Sequence, residues 1–243
     1  MIFEDFPKKR IQLPVDFQNI YDEHYKKNRE GGTAASSVSK SMEAWMHKKV
    51  ASDLVDDNHK STLEIGAGTL NQLDYEKTQP YDIVEPFHKL FENSPNKKNV
   101  TNIFKDISEI DMNSRYDRIT SVATFEHITD LPNVVAKTCL LLQEGGTLRV
   151  SIPNEGTFLW KLGYKLTTGI EFKYKYGLNY DLLMKHEHVN TADEIEQVLC
   201  YFYQKTNSSY FGIHKKVAFY RFYECSVPNI ERAKKYLSEI EHI

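Results

Sequence analysis

The sequence has little cysteine, and the cysteines it has are poorly placed for cross-links or for metal. Cys139, Cys200 and Cys225 are the only three in 243 residues; they are far apart, and no Cys-x-x-Cys pair occurs. This pattern speaks against a disulfide framework and against a cysteine zinc site. It favours a reducing compartment, so we predict a cytoplasmic location.

Long apolar runs and an excess of one charge are also absent. No stretch approaches the roughly 20 apolar residues of a membrane span, and the first residues lack the basic-then-apolar order of a signal peptide. The formal net charge of -3 argues against a nucleic-acid footprint over the whole surface. We therefore expect no membrane span and no nucleic-acid partner, while an oligomer is left open.

What the chain does have is enough apolar material for one domain. It is 40% hydrophobic, which suits a sizeable core in a single domain. Residues 1–60 are predicted to form a helical N-terminal cap, because apolar residues recur at helical spacing near its end. That stripe consists of Val38, Met42, Trp45, Met46, Val50 and Leu54.

From residue 61 onward, short β-type runs alternate with helical segments. Strands are predicted at 61–65, 82–84, 100–104, 118–124 and 147–152, with a hairpin at 208–214 and 217–226. Helices are predicted at 86–93, 131–143 and 191–203, with a closing helix in 227–243. Apolar strands separated by helices indicate a parallel sheet covered on both faces. We expect an α/β fold in which residues 61–226 form a doubly wound, seven-stranded, mostly parallel sheet with an antiparallel C-terminal hairpin. An insert at 154–186 follows strand five.

A glycine turn marks the end of the first predicted strand. Gly66 and Gly68 allow a tight turn and close approach of a ligand to the backbone. A dinucleotide-binding fingerprint would need a third glycine at position 71, which is Asn71. The turn by itself is compatible with a ligand loop or with a plain strand-to-helix connection.

Acidic residues stand at the ends of the next two strands. Glu85 follows the second strand, where a carboxylate can accept hydrogen bonds from both hydroxyls of a ribose. Asp106 follows the third strand and could accept a bond from an adenine amino group. Either residue could instead cap a helix N-terminus.

Taken in order, these features carry a family resemblance. They are Glu64-x-Gly66-x-Gly68, Glu85, Asp106, Phe125-Glu126-His127 and the turn Leu142-Gln143-Glu144-Gly145-Gly146-Thr147-Leu148. The series resembles class I S-adenosylmethionine-dependent methyltransferases, above all the methyltransferase type 11 branch. The resemblance is close over about residues 60–155 and loose to 226, and it implies a Rossmann-like fold.

The resemblance also implies a cofactor and its contacts. The cofactor would be S-adenosylmethionine, leaving as S-adenosylhomocysteine. The implied contacts are Glu64, Gly66, Ala67 and Gly68 for the methionine part, Glu85 and Pro86 for the ribose, Asp106 and Ile107 for the adenine, and Ala123, Thr124 and Phe125 beneath the sulfonium. The chain departs from the family in the short link between glycine loop and second strand, which predicts a short or irregular first helix.

Histidines are the candidates for activating the methyl acceptor. The electrophilic sulfonium supplies the difficult chemistry, and a general base helps if the acceptor is a hydroxyl. The resemblance places His127, His186 and His188 on the acceptor side. His127 could instead hold a neighbouring loop. The His-x-His pair could suggest a metal, but side chains alternate faces in an extended stretch and no third ligand is obvious, so we predict no metal.

The acceptor is predicted to be a small molecule, and the hypothesis is a sugar or nucleotide-linked sugar hydroxyl of surface-glycan synthesis. The aromatic and lysine-rich insert would be a lid that also contacts the acceptor. The alternatives are a tRNA or protein methyltransferase, a non-catalytic cofactor-binding module and, on fold alone, a nicotinamide dehydrogenase. The acidic balance argues against RNA, and the missing third glycine argues against the dehydrogenase.

Overall fold

A computed structural model describes residues 3–15, 17, 37–54, 59–157, 172, 174–178 and 180–240. About half of the predicted insert, residues 158–171, 173 and 179, and the run of small residues before position 37 lie outside these described residues.

A seven-stranded sheet in the order β3-β2-β1-β4-β5-β7-β6 forms the centre of the molecule. Its strands are β1 (Thr62–Ile65), β2 (Tyr81–Val84), β3 (Ile103–Phe104), β4 (Tyr116–Val122), β5 (Leu142–Pro153), β6 (Tyr203–His214) and β7 (Val217–Pro228). Neighbours from β3 to β5 pair in parallel, whereas β7 runs antiparallel to both β5 and β6. The mostly parallel sheet with an antiparallel C-terminal hairpin is thereby confirmed.

The central strands are buried along most of their length because helices cover the sheet on both faces. Every residue of β1 and β2 is buried, as expected for parallel strands. The helices are α1 (Ser37–Val50), α2 (Leu131–Leu141), α3 (Tyr180–Glu187), α4 (Ala192–Phe202) and α5 (Ile230–Ile240). A capping box between Thr191 and Glu194 starts α4, as the sequence pattern predicts.

Two buried arginines fix α1 to the sheet. Arg118 on β4 donates to the backbone oxygen of Val50 (3.1 Å), and Arg149 on β5 donates to the same oxygen (2.7 Å) and to that of Lys49 (3.0 Å). These are carbonyls at the helix C-terminus that have no partner within the helix, and cationic donors suit them. These contacts hold the C-terminal end of α1 against β4 and β5.

Some predicted elements are wrong. Residues 86–93 do not form an α-helix; a single 3₁₀ turn spans His88–Leu90 and only Phe91 is buried there. With Pro86 and Pro95 at either end and one buried side chain between them, the segment is too short and too weakly packed to support a helix. Residues 3–14 form turns and irregular backbone rather than helix.

The link between the glycine loop and β2 contains a short helical turn, as its length predicts. It holds a 3₁₀ turn at Asn71–Asp74, entered through Leu70 in the left-handed region (φ 67°). The third strand is confined to Ile103–Phe104. No helix among the described ranges is both long and apolar enough to cross a membrane.

Candidate active site

The glycine turn and Glu85 meet at the carboxyl ends of β1 and β2. The backbone N–H of Gly68 donates to Glu85 Oε2 (2.8 Å), and the N–H of Phe87 donates to Oε1 (3.0 Å). Gly66 has φ 74°, and a Cβ at this position would overlap the side chain of Thr124. A side chain is therefore excluded at Gly66. The carboxylate of Glu85 links the glycine turn to the segment that follows β2.

Glu64 lies beneath the same turn in a buried position. It is 2% exposed, and its Oε2 accepts a hydrogen bond from the hydroxyl of Tyr81 (2.8 Å). Burial, reinforced by the nearby carboxylates of Glu76 and Glu85, raises the pKa of Glu64 to about 8. The carboxyl is thus mostly protonated at neutral pH until a cation is placed beside it.

Asp106 and Phe125, both expected at the cofactor, have structural roles: Asp106 caps a turn, and Phe125 lies in the hydrophobic core. Asp106 caps the short turn Ile107–Glu109, with Oδ1 accepting from the N–H (2.8 Å) and hydroxyl (2.6 Å) of Ser108. Partial burial opposes ionisation, but these bonds lower the pKa of Asp106 overall. Phe125 is fully buried in the main hydrophobic core and does not line the cavity described next.

A cavity of about 860 Å³ opens over these strand ends. It is lined by most of the residues expected at the cofactor, which are Glu64, Gly66, Ala67, Gly68, Glu85, Pro86, Asp106, Ile107, Ala123 and Thr124. His127 and His186 line it as well, together with Glu187. One cavity therefore joins the expected cofactor residues to two of the candidate histidines.

His127 and His188 lie together, whereas His186 is held separately. The rings of His127 and His188 have their centroids 4.8 Å apart. His127 Nδ1 is 3.0 Å from the backbone oxygen of Glu187, and His188 Nδ1 is 2.8 Å from Glu155 Oε2. His186 Nδ1 instead meets the backbone oxygen of Ile11 at 2.7 Å. The two histidines of the His-x-His pair thus have different surroundings.

A buried carboxylate completes the His127–His188 pair. Glu126 is buried, and burial raises its pKa to about 7. Burial also works against the charged form of His188, yet its bond to Glu155 and the nearby carboxylates raise its pKa on balance. Sequence reasoning named Glu126 only as part of a motif, because its burial and its neighbours depend on the distant segment that carries His188.

Further cavity residues come from elements that no motif marks. Glu43, Met46 and His47 on α1 line the cavity, as does Tyr220 on β7. The N-terminal segment contributes Arg10, whose guanidinium donates to the backbone oxygens of His127 (2.7 Å), His186 (2.7 Å) and Glu187 (3.0 Å). Helical periodicity in the sequence indicates which face of α1 is apolar, but not that its polar neighbours line the cavity.

We expect Glu64→Gln to stabilise the protein by an amount that grows with pH. In the unfolded chain Glu64 ionises near 4.5, whereas in the folded protein it does so near 8. Between these values folding takes up a proton, so the wild type loses up to about 1.4 kcal/mol of stability per pH unit relative to the neutral variant. Urea unfolding of both proteins at pH 5, 7 and 8.5 measures this. A stability difference that is constant with pH would contradict it.

Comparison with known proteins gives one family and one curated relative. A family model described as "Methyltransferase domain" matches residues 38–202. A malonyl-[acyl-carrier protein] O-methyltransferase of Acetivibrio thermocellus is 28% identical over 151 residues, covering 58% of this chain and 52% of that protein. The chain thus spans about half the length of the curated relative it matches.

Solved structures share the fold at low sequence identity. A possible histamine N-methyltransferase of Thermotoga maritima has a TM-score of 0.55 at 15% identity, covering 87% of this chain and 99% of that one. The plantazolicin methyltransferase BpumL, solved in complex with a monoazolic desmethylPZN analog and S-adenosylhomocysteine, has a TM-score of 0.58 at 13% identity, covering 87% of this chain and 92% of that one. At such identities the likeness concerns the fold alone.

Proposed function

Because this chain belongs to the methyltransferase-domain family and has the fold of class I S-adenosylmethionine-dependent methyltransferases, we propose that it transfers a methyl group from S-adenosylmethionine to a hydroxyl of a small-molecule acceptor. The observation that carries the proposal is the single cavity described above. It runs from the glycine turn and Glu85 to His127 and His186. A donor at one end and an acceptor at the other would meet in it.

The cofactor end is proposed to follow the family pattern. The open space at Gly68 suits a bound ligand, since no atom beyond its own chain neighbours lies within 4 Å of a Cβ placed there. Glu85 would accept bonds from the ribose hydroxyls, and the carboxyl of Glu64 would face the ammonium of the methionine part. A cation beside a carboxyl with a raised pKa favours its ionised form, so cofactor binding would release a proton.

The acceptor end is proposed to hold the groups that activate the acceptor. His127 lines the cavity, and the ring of His188 contacts the ring of His127. We therefore assign these two side chains to the reaction centre. His186 stands at the cavity edge beside Arg10 and would contribute to acceptor binding. In-line transfer needs the acceptor atom about 3–3.5 Å from the methyl carbon, which a cavity continuous between the two ends allows.

A polar, hydroxyl-rich acceptor fits the lining, and a sugar or nucleotide-linked sugar is our proposal. Glu43 and His47 on α1 and Gln72 on the neighbouring turn make one wall of the cavity polar, and His47 and Gln72 are hydrogen-bonded to each other (2.7 Å). We also propose that residues 1–60 and the insert at 154–186 act as covers of a cofactor-binding sheet at 61–226, and that the protein works in the cytoplasm. The tRNA or protein acceptors remain the alternative, against which the net charge of -3 argues.

The test is methyl transfer from radiolabelled S-adenosylmethionine to a panel of acceptors. The panel holds free sugars, nucleotide-linked sugars, malonyl-[acyl-carrier protein], bulk tRNA and a mixed peptide library. We expect label on a sugar-containing acceptor, with His127→Ala lowering kcat by about 10²-fold while the affinity for S-adenosylhomocysteine stays within a few-fold. Label on tRNA or peptide alone, or equal turnover in His127→Ala, would contradict the acceptor or the residue assignment respectively.

A further inference from the structure

Glu126, His127 and His188 converge although they come from two segments far apart in the chain. One ligand atom from each lies within 4.8 Å of those of the other two. Glu126 and His127 belong to the 3₁₀ turn Phe125–His127 after β4, and His188 follows α3. The backbone N–H groups of Val189 and Asn190 both donate to the backbone oxygen of Glu126 (2.9 and 3.1 Å), which ties the two segments together.

Both imidazole rings are oriented by bonds at Nδ1. That atom meets a backbone oxygen in His127 and the Glu155 carboxylate in His188. Histidines that bind metal almost always use their second nitrogen in this way, to hold the ring and to fix its tautomer. The opposite nitrogen of His127, Nε2, lies 3.8 Å from Glu126 Oε1, so that nitrogen faces the carboxylate across the gap of the cluster.

Among the described residues, one oxygen of the Glu126 carboxylate has no partner. The side chain is 2% exposed, and Oε2 is buried with no hydrogen-bond partner in the part of the chain that the structure describes. A buried carboxylate oxygen left in this state is costly, and native proteins nearly always satisfy such groups with a hydrogen bond, a water or an ion. A bound cation would supply the missing interaction for this oxygen.

We propose that Glu126, His127 and His188 bind a divalent transition-metal ion, with Zn²⁺ as the reference ion. Two imidazoles and one carboxylate are a ligand set that such ions use when they keep positions open for another molecule. His127 also lines the cavity, so the open positions would face its acceptor end. Of the His-x-His pair, on which the prediction of no metal rested, His188 alone belongs to this cluster; the other two ligands, Glu126 and His127, come from the distant turn after β4.

The ion would give the cluster a specific task. A hydroxyl oxygen bound to a divalent cation loses its proton more readily, so the ion would activate the acceptor while the imidazoles hold the ion. This last role rests on the proposed methyl transfer, but metal binding itself does not. The two can therefore be tested separately.

The experiment uses the full chain without a histidine tag, stripped with a chelator and titrated with Co²⁺ followed by Zn²⁺. We expect one equivalent of Co²⁺ to give visible ligand-field absorption and Zn²⁺ to displace it. Glu126→Gln and His188→Ala should abolish the signal, and Glu155→Gln should weaken binding by about 10–100-fold as an outer-shell change. His186→Ala, a neighbouring histidine outside the cluster, is the matched control and should bind like the wild type.

The outcomes separate this inference from the proposed function. Circular dichroism and thermal melting establish that each variant is folded before it is compared. Absence of stoichiometric binding by the wild type, or unchanged binding by folded Glu126→Gln and His188→Ala, overturns the metal site. Calorimetry of the stripped protein with S-adenosylhomocysteine runs in parallel, because failure there bears on the methyltransferase proposal and not on the metal.

Discussion

Replacing Glu85 with alanine is expected to weaken S-adenosylhomocysteine binding by on the order of 10²–10⁴-fold. The proposed contact is two hydrogen bonds from ribose hydroxyls to one carboxylate, and bonds to charged groups contribute about 1.5–3 kcal/mol each. The variant also removes the acceptor for the N–H groups of Gly68 and Phe87. Both effects act in the same direction on the cofactor loop.

Isothermal titration calorimetry measures this affinity, and two variants serve as controls. Glu85→Gln keeps the shape and one acceptor oxygen, so its loss should fall between wild type and alanine. Glu92→Ala removes an exposed carboxylate that is not part of the cavity wall and should leave the affinity unchanged. Equal affinity in wild type and Glu85→Ala would contradict the assignment of Glu85 to the ribose hydroxyls. Binding of NAD but not of S-adenosylhomocysteine by the wild type would contradict S-adenosylmethionine as the cofactor.

The sheet and its strand-end acids were predictable because both depend on local pattern. Short apolar strands in a parallel sheet place their carboxyl ends at one edge, so the spacing of Gly66, Glu85 and Asp106 predicts that they share a region. All three line one cavity. Asp106 was ambiguous in the sequence, since a strand-end acid can cap a turn or contact a ligand. In the structure it caps the turn Ile107–Glu109 and also borders the cavity.

The histidine pair and the structure of residues 86–93 could not be predicted, because they depend on packing between segments far apart in the chain, which periodicity does not encode. His188 lies beside His127, and the bonds from Val189 and Asn190 to the backbone of the turn after β4 tie these two distant segments together. Residues 86–93 have several apolar side chains that suggest a helix, yet just one of them is buried. Packing, rather than propensity, decides such short segments.

Arg118 shows the same limit in its clearest form. In the sequence it looks like a charged residue inside an apolar strand, whereas in the structure it is fully buried. Its guanidinium pairs with Glu76 through two bonds of 3.1 Å and with Asp53 Oδ2 at 2.9 Å. Burial opposes its charge, but these carboxylates outweigh that and raise the pKa of Arg118. No local pattern could indicate these partners, because Glu76 lies in the link after the glycine loop and Asp53 in the short turn that follows α1.

Arg118→Met is therefore expected to lower the free energy of unfolding by about 3–5 kcal/mol. Removing one partner of a buried ion pair leaves the other charge uncompensated, and here the carboxylate of Glu76 would remain at 0% side-chain exposure. The change also removes a donor to the backbone oxygen of Val50, which loosens the end of α1. For a chain of this size, the melting temperature should fall by roughly 6–20 °C.

Urea and thermal unfolding of matched variants separate the ion pair from a general loss of charge. Arg115→Met removes an exposed arginine that, within the described residues, bonds to Met112 and Ser114 in its own loop, and it should change stability by less than about 0.5 kcal/mol. The double variant Arg118→Met/Glu76→Gln should regain part of the loss, because it neutralises the stranded carboxylate and the two sites are directly coupled. Two results would contradict this: a free energy of unfolding of Arg118→Met within about 1 kcal/mol of the wild type, or a double variant that loses more stability than the two single variants together. Either would mean that the buried pair does not anchor α1. The placement of Glu43 and His47 on the cavity wall would then depend on other contacts.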